Sequence, residues 1–165
     1  MIPKKIHYCW FGDNPMSVLN QRCIASWRRL CPDYELIMWN ENNADIDNEY
    51  CRQAIKQKKW AFVADWVRFD VLHKHGGIYL DTDVELVQGL DSLLASDALQ
   101  AARESDDIIG TAFIAVPAGH PAMEASRQLV LGRLTSLRKF ATSPRILKQG
   151  MEQVQMRDCH VLPSV

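Results

Sequence analysis

Apolar positions change period repeatedly along the chain, and each change marks the border of a predicted element. Lys5 to Trp10 (KIHYCW) is a short β-rich run, closed by the dense turn signal Phe11-Gly12-Asp13-Asn14-Pro15. Met16 to Leu30 then puts Leu19, Cys23, Trp27 and Leu30 at helical spacing, until Pro32 stops the pattern. Tyr34 to Trp39 (YELIMW) reads as a second strand. Asp45 to Lys58 reads as a polar helix with Tyr50, Ala54 and Ile55 on its thin apolar side. Trp60 to His75 is the longest helical pattern of the front half, and Gly76-Gly77 ends it as a C-cap would. Ile78 to Asp81 is a short strand, Asp91 caps a brief helix through Leu94, Ile108 to Val116 is a strand and Pro117 to Pro121 a loop. Pro121 to Leu137 and Pro144 to Val154 read as helices with proline near their starts, and Cys159 to Leu162 begins a final strand.

Alternating strands and helices are the signature of an α/β protein with a layered sheet and helices on its faces. The chain has 165 residues and neither repeat nor linker, so residues 1–165 are expected to form a single domain. Lys plus Arg total 19 against 20 Asp plus Glu, a net charge of −1, which offers no basic surface for a phosphate backbone and argues against nucleic acid. The five cysteines lack C-x-x-C spacing, so reduced thiols are expected rather than a disulfide framework or structural zinc. His7 and Gly12-Asp13 break the N-terminal apolar run, and no stretch approaches the roughly 20 apolar residues of a membrane span. The expectation is a soluble cytoplasmic protein, with peripheral attachment at the inner face of the membrane left open.

The chemistry concentrates between Ala61 and Leu86, AFVADWVRFDVLHKHGGIYLDTDVEL. On an extended strand Tyr79, Asp81 and Asp83 project to one face while Ile78 and Leu80 project to the other. Two carboxylates at that spacing need solvent or a cation, because burying each unpaired costs several kcal/mol. Mg²⁺ or Mn²⁺ is held in this manner by one or two carboxylates together with substrate phosphates. Ligands of open α/β sheets sit at the carboxyl ends of strands, where these residues fall. The preceding helix is apolar nearly all round, yet it carries Asp65 and Arg68 three apart on one face. Two readings stand for them. They form a buried ion pair, or Asp65 accepts from a sugar hydroxyl while Arg68 neutralises a phosphate.

YCWFG near the start, WAFVADWVRFDVLHKHGGIYLDTDVEL and AGHP together resemble the DXD-motif sugar transferases. That family takes in capsular-polysaccharide and lipopolysaccharide glycosyltransferases, α-mannosyltransferases and, more distantly, the glucosyltransferase domains of large clostridial toxins. The resemblance implies a GT-A-type nucleotide-sugar-binding fold with one mixed, mostly parallel sheet flanked by helices, which this chain is expected to carry in a C-terminally short form. It implies metal-dependent transfer, with retention of configuration, from a UDP- or GDP-sugar to a saccharide or lipid-linked acceptor, as in surface polysaccharide synthesis. By the resemblance, Asp81 and Asp83 are the acids that hold metal and diphosphate, and they count as the catalytic pair. Asp65 and Arg68 contact the donor sugar and Tyr79 lines the nucleotide side. Trp10 stands where relatives stack a ring on the base; a core position is the equal alternative.

Two departures set further expectations. Relatives continue past the point where this chain ends, with a C-terminal His or Ser-Trp motif that nothing here matches; His160 is not assigned to it. Gly110-Thr111-Ala112-Phe113 also departs from the expected acceptor-side stretch. The 165-residue form is therefore expected to bind a sugar nucleotide weakly and transfer poorly, and a shortened, non-catalytic binding module is the alternative. An Asp-x-Asp phosphohydrolase ranks well behind. That family places its motif close to the N-terminus and has Thr or Val where Glu85 stands.

Overall fold

The computed structural model describes residues 1–135, 141–156 and 158–163. Its strands are β1 Lys5–Cys9, β2 Glu35–Trp39, β3 Gly77–Leu80, β4 Leu99–Arg103, β5 Ile109–Val116 and β6 Cys159–Leu162. Its helices are α1 Val18–Leu30, α2 Glu49–Lys56, α3 Trp60–His75, α4 Asp91–Leu94, α5 Pro121–Thr135 and α6 Ser143–Gln153. The strands form one sheet in the order β2-β1-β3-β5-β4-β6. β1 runs parallel to β2 and β3, β5 runs antiparallel to β3 and β4, and β6 is parallel to β4. Only β5 therefore opposes the others, and the predicted mixed, mostly parallel sheet is present.

Alternation along the central strands divides the core. Ile6, Tyr8, Ile78 and Leu80 pack against Ile24 and Trp27 of α1 and Leu94 of α4. Cys9, Tyr79, Ile114 and Val116 face the opposite way, toward α2, α3, α5 and α6. His7 lies on that second face and is fully buried. Trp39 Nε1–H donates to its Nδ1 at 3.1 Å, so the ring's own proton sits on Nε2 and goes to the Gly76 carbonyl at 2.9 Å. Burial pushes the His7 pKa down to about 4, and the ring is neutral.

Helix α3 matches its predicted span at both ends. It is buried continuously from Asp65 to Leu72, which is why it lacks a polar stripe. Its end is sharp because Gly76 (φ +62°) and Gly77 (φ +104°) take up conformations that residues with a Cβ rarely adopt. At Gly77 a Cβ would also stand 2.8 Å from the Lys5 carbonyl oxygen.

Other borders moved. α1 starts at Val18 rather than Met16 because Ser17 and Asn20 form a reciprocal capping box, and α2 starts only at Glu49 because Asn48 caps it. Asp91 does not cap α4. It is the helix's first residue, and its carboxylate accepts from the Tyr34 hydroxyl at 2.9 Å. β4 (LQAAR) was absent from the predicted elements. Its alanines are poor strand formers, and the strand exists through pairing with β5 and β6 on either side. The predicted end of α5 at Leu137 lies outside the described residues.

Gly77→Ala is expected to destabilise the chain by about 2 kcal/mol or more, since it combines positive φ with a backbone clash. Urea denaturation measures it; an unchanged midpoint would contradict the close approach of α3's exit to β1.

Candidate active site

β1 lies between β2 and β3, so the chain leaves it to one side and returns on the other. This is a topological switch point, and the crevice it opens at the strands' carboxyl ends is where open α/β sheets bind ligands. Trp10 and Asp81 are the residues that follow β1 and β3 there. Trp10 is half-buried and belongs to neither face of the core; its Nε1–H donates to the Asn14 carbonyl at 2.8 Å.

Strand alternation holds as far as Asp81 and then stops. The Asp81 N–H still pairs with the Ala112 carbonyl at 2.9 Å, which keeps its side chain on the face of Tyr79. The Val84 N–H then closes a turn on the Asp81 carbonyl at 3.0 Å, so Asp83 stands exposed on a turn and not on the strand face assumed for it. α1 pins this turn. Asn20 donates to the Thr82 hydroxyl at 3.0 Å and Trp27 Nε1–H to the Val84 carbonyl at 2.7 Å. Leu86 N–H donates to Ser26 Oγ at 2.9 Å, and Arg22 pairs with Glu85 at 2.9 Å. Thr82, Asn20 and Ser26 drew no attention in the sequence, since their partners lie some 60 residues away.

Arg68 is the hub of the site. It is 4% exposed. Its Nη2 donates to Asp81 Oδ1 at 2.7 Å, its Nη1 lies 3.5 Å from Asp65 Oδ1 and donates to Ser143 Oγ at 2.9 Å, and its plane sits 4.5 Å over the Tyr79 ring. The pair read from the helix is thus a triad with the first acid of the DXD turn. Burial raises the Asp81 pKa, Arg68 opposes the rise and Asp83 adds to it. Burial likewise raises Asp65, against Arg68 and Ser143. Tyr79, expected to line the nucleotide side, is 1% exposed beneath the guanidinium, so its place here is that of a platform.

Residues 17–100 match the family described as "Glycosyltransferase sugar-binding region containing DXD motif". The chain belongs to this family. Among similar proteins, inositol phosphoceramide mannosyltransferase 3 of Schizosaccharomyces pombe is 30% identical over 128 residues, covering 73% of this chain and 35% of that protein. Mannosyl phosphorylinositol ceramide synthase CSH1 of Saccharomyces cerevisiae is 31% identical, covering 67% of this chain and 32% of that protein. Subversion of eukaryotic traffic protein A of Legionella pneumophila is 29% identical over 50% of this chain and 17% of that protein. The chain thus spans about a third or less of the length of these relatives. Among solved structures, the PaToxG glycosyltransferase superposes with a TM-score of 0.79 at 22% identity, over 93% of this chain and 70% of that one. The UDP-bound glycosyltransferase domain of the YGT toxin gives 0.61 at 10% identity, over 93% and 68%. The fold is of the GT-A type. The DXD glycosyltransferase match takes in the Asp65, Arg68, Asp81 and Asp83 cluster and stops short of Ser143 and Thr111.

Replacing Arg68 by Met should destabilise the chain by about 3–5 kcal/mol, because it strands buried carboxylate charge. Asp65→Asn should cost less, about 1–3 kcal/mol, since Arg68 keeps Asp81. Equal costs in chemical denaturation would mean that Asp81 does not share the guanidinium.

Proposed function

We propose that the chain binds a nucleoside-diphosphate sugar through a divalent cation held at Asp81 and Asp83, and transfers the sugar to an acceptor hydroxyl. The observation that carries this reading is the charge left over at the switch point. Asp65, Asp81 and Asp83 carry three negative charges and Arg68 one positive, an excess of two where the sheet opens to solvent. Among the described residues no group of three or more His, Cys, Asp or Glu forms a metal cage. Two carboxylates on a pinned turn suit Mn²⁺ or Mg²⁺, which complete their shell with phosphate and water. When bound, the cation neutralises charge on the departing diphosphate.

The chain's own residues do the rest. α1 holds the turn, so Asp83 meets its ligand without reordering. Arg68 and Asp65 are more than nine-tenths buried, so they would meet the donor only at their crevice edge, while Arg68 Nη2 would back Asp81 as that acid helps to hold the cation. Trp10, at the neighbouring strand end, offers a face to the base of a UDP- or GDP-sugar, a contact on the order of 1–3 kcal/mol.

For the acceptor we propose a saccharide or lipid-linked sugar. A cavity of about 540 Å³ lies behind the DXD turn, lined by Val84, Leu86, Leu93, Ala112, Phe113 and Leu162, and its apolar walls favour the lipid-linked form. Transfer with retention, surface polysaccharide as product and a cytoplasmic site of action at the membrane's inner face complete the proposal. No helix among the described residues is long and apolar enough to cross a membrane. Four buried thiols, Cys9, Cys23, Cys31 and Cys51, fit a reducing compartment.

Calorimetry with UDP and GDP, and with their sugars, tests this reading. Binding should require Mn²⁺ or Mg²⁺ and collapse in Asp83→Asn, with stability within about 0.5 kcal/mol of wild type because Asp83 is exposed. EDTA-insensitive binding in that variant would refute the metal assignment. The cation takes the deprotonated Asp81, whose pKa is raised above 3.8. Binding should therefore weaken as pH falls through that raised pKa, and the midpoint should move down as Mn²⁺ is raised, because cation and proton compete for the carboxylate. A midpoint that does not move with Mn²⁺ would exclude Asp81 as the group that titrates.

A further inference from the structure

The Asp65–Arg68 pair does not stand alone on α3. Ser143, the first residue of α6, is 6% exposed, and Thr111 of β5 is 4% exposed. Arg68 Nη1 donates to Ser143 Oγ at 2.9 Å, and Ser143 Oγ lies 2.8 Å from Thr111 Oγ1. Ser143 also faces the Asp65 carboxylate, and both its hydroxyl and its backbone N–H favour the ionised form of that acid.

The proton directions follow by elimination. A guanidinium only donates and an ionised carboxylate only accepts. The Ser143 proton therefore goes to Asp65, and its two lone pairs take Arg68 Nη1–H and the Thr111 hydroxyl. One donor and two acceptor sites are all a serine has, so the hydroxyl is saturated. The start of α6 adds to this. Its N-cap Thr142 makes no side-chain cap bond, and the Asp65 carboxylate, reaching across from α3, faces the Ser143 N–H, one of the helix's unpaired first-turn donors.

We propose that Ser143, backed by Thr111, is a positioning residue of the donor site: it orients Asp65 and Arg68 toward the sugar end of a nucleotide sugar while Asp81 and Asp83 take the diphosphate. The proposal rests on the donor-binding reading above and goes beyond it to residues outside the family match. It places the start of α6 and the middle of β5 behind the helix pair, so that substrate discrimination depends on hydroxyls that never reach solvent. Without the Ser143 hydroxyl, Arg68 loses an Nη1 partner and Asp65 loses one of the two donors residue 143 offers it, keeping the backbone N–H. Asp81 and the pinned turn keep theirs.

The test is a calorimetric comparison, with Mn²⁺, of bare UDP and GDP against UDP- and GDP-sugars on the full chain. Wild type, S143A and T111V are compared. S143A should weaken sugar-nucleotide binding about tenfold or more while changing bare-diphosphate binding by less than about twofold. T111V, which removes only the support behind Ser143, should shift the same ratio in the same direction by a smaller factor. Should S143A fail to fold, T111V carries the comparison. Equal weakening of both ligand classes, or no change in either, overturns the proposal.

A second readout needs no donor. NMR of the Arg68 guanidinium should show separate Nη signals in the wild type, held by Ser143 and Asp81, and loss of that restraint in S143A. If wild type binds no nucleotide at all, the donor-binding reading fails and this readout alone decides the positioning role. Freely rotating Nη groups in the wild type, or signals unchanged in S143A, contradict it.

Discussion

A buried guanidinium between two carboxylates organises this protein. Burying the charged Arg68 would be strongly destabilising without Asp65 and Asp81, and Asp65 in turn could not be buried as an anion without Arg68. Because Asp65 is on α3 and Asp81 follows β3, the triad ties the central helix to the strand end where the site opens. Ser143 and Thr111 extend the tie to α6 and β5. Much of one face of the sheet is thus referenced to a single side chain. The hydrophobic contacts of α3 explain why the helix is buried; the charge network explains why it has one rotation and one depth.

The opposite face does a different job. α1 holds the turn after Asp81 with bonds from Asn20, Ser26 and Trp27, and Glu85 meets Arg22 at its rim. One acid of the DXD turn is therefore fixed from behind by a cation, while the other stands on a braced turn facing solvent. The raised pKa of Asp81 has a direct meaning in this frame. Burial and the charge of Asp83 disfavour the anion by more than Arg68 and Tyr79 favour it, and the proposed cation at the turn would relieve both.

The local parts of this arrangement were legible in the sequence. Trp60 to His75 has an unbroken apolar pattern and two glycines behind it, and its borders came out at both ends. Asp65, Arg68 and Asp81 were singled out because charges inside an apolar helix and at a strand end need partners. What stayed hidden depends on distance along the chain. Ser143 is 75 residues from Arg68 and Trp27 is 57 from Val84, and a serine or tryptophan in a helical pattern carries no mark of such a partner. Tyr79 was legible as a position but not as a depth, because strand alternation says which face a ring takes and not what covers it. β4 was missed because LQAAR owes its strand to neighbours on both sides.

On the proposed reading, the excess negative charge at the β1–β3 crevice serves to hold a cation against a diphosphate. Anomalous diffraction from crystals grown with Mn²⁺ and a nucleoside diphosphate would locate that cation. A manganese peak is expected within coordination distance of the Asp81 and Asp83 carboxylates and of the phosphate oxygens, with the base beside Trp10. A diphosphate seated in the crevice with no manganese peak at those acids, or manganese bound elsewhere on the chain, would contradict it.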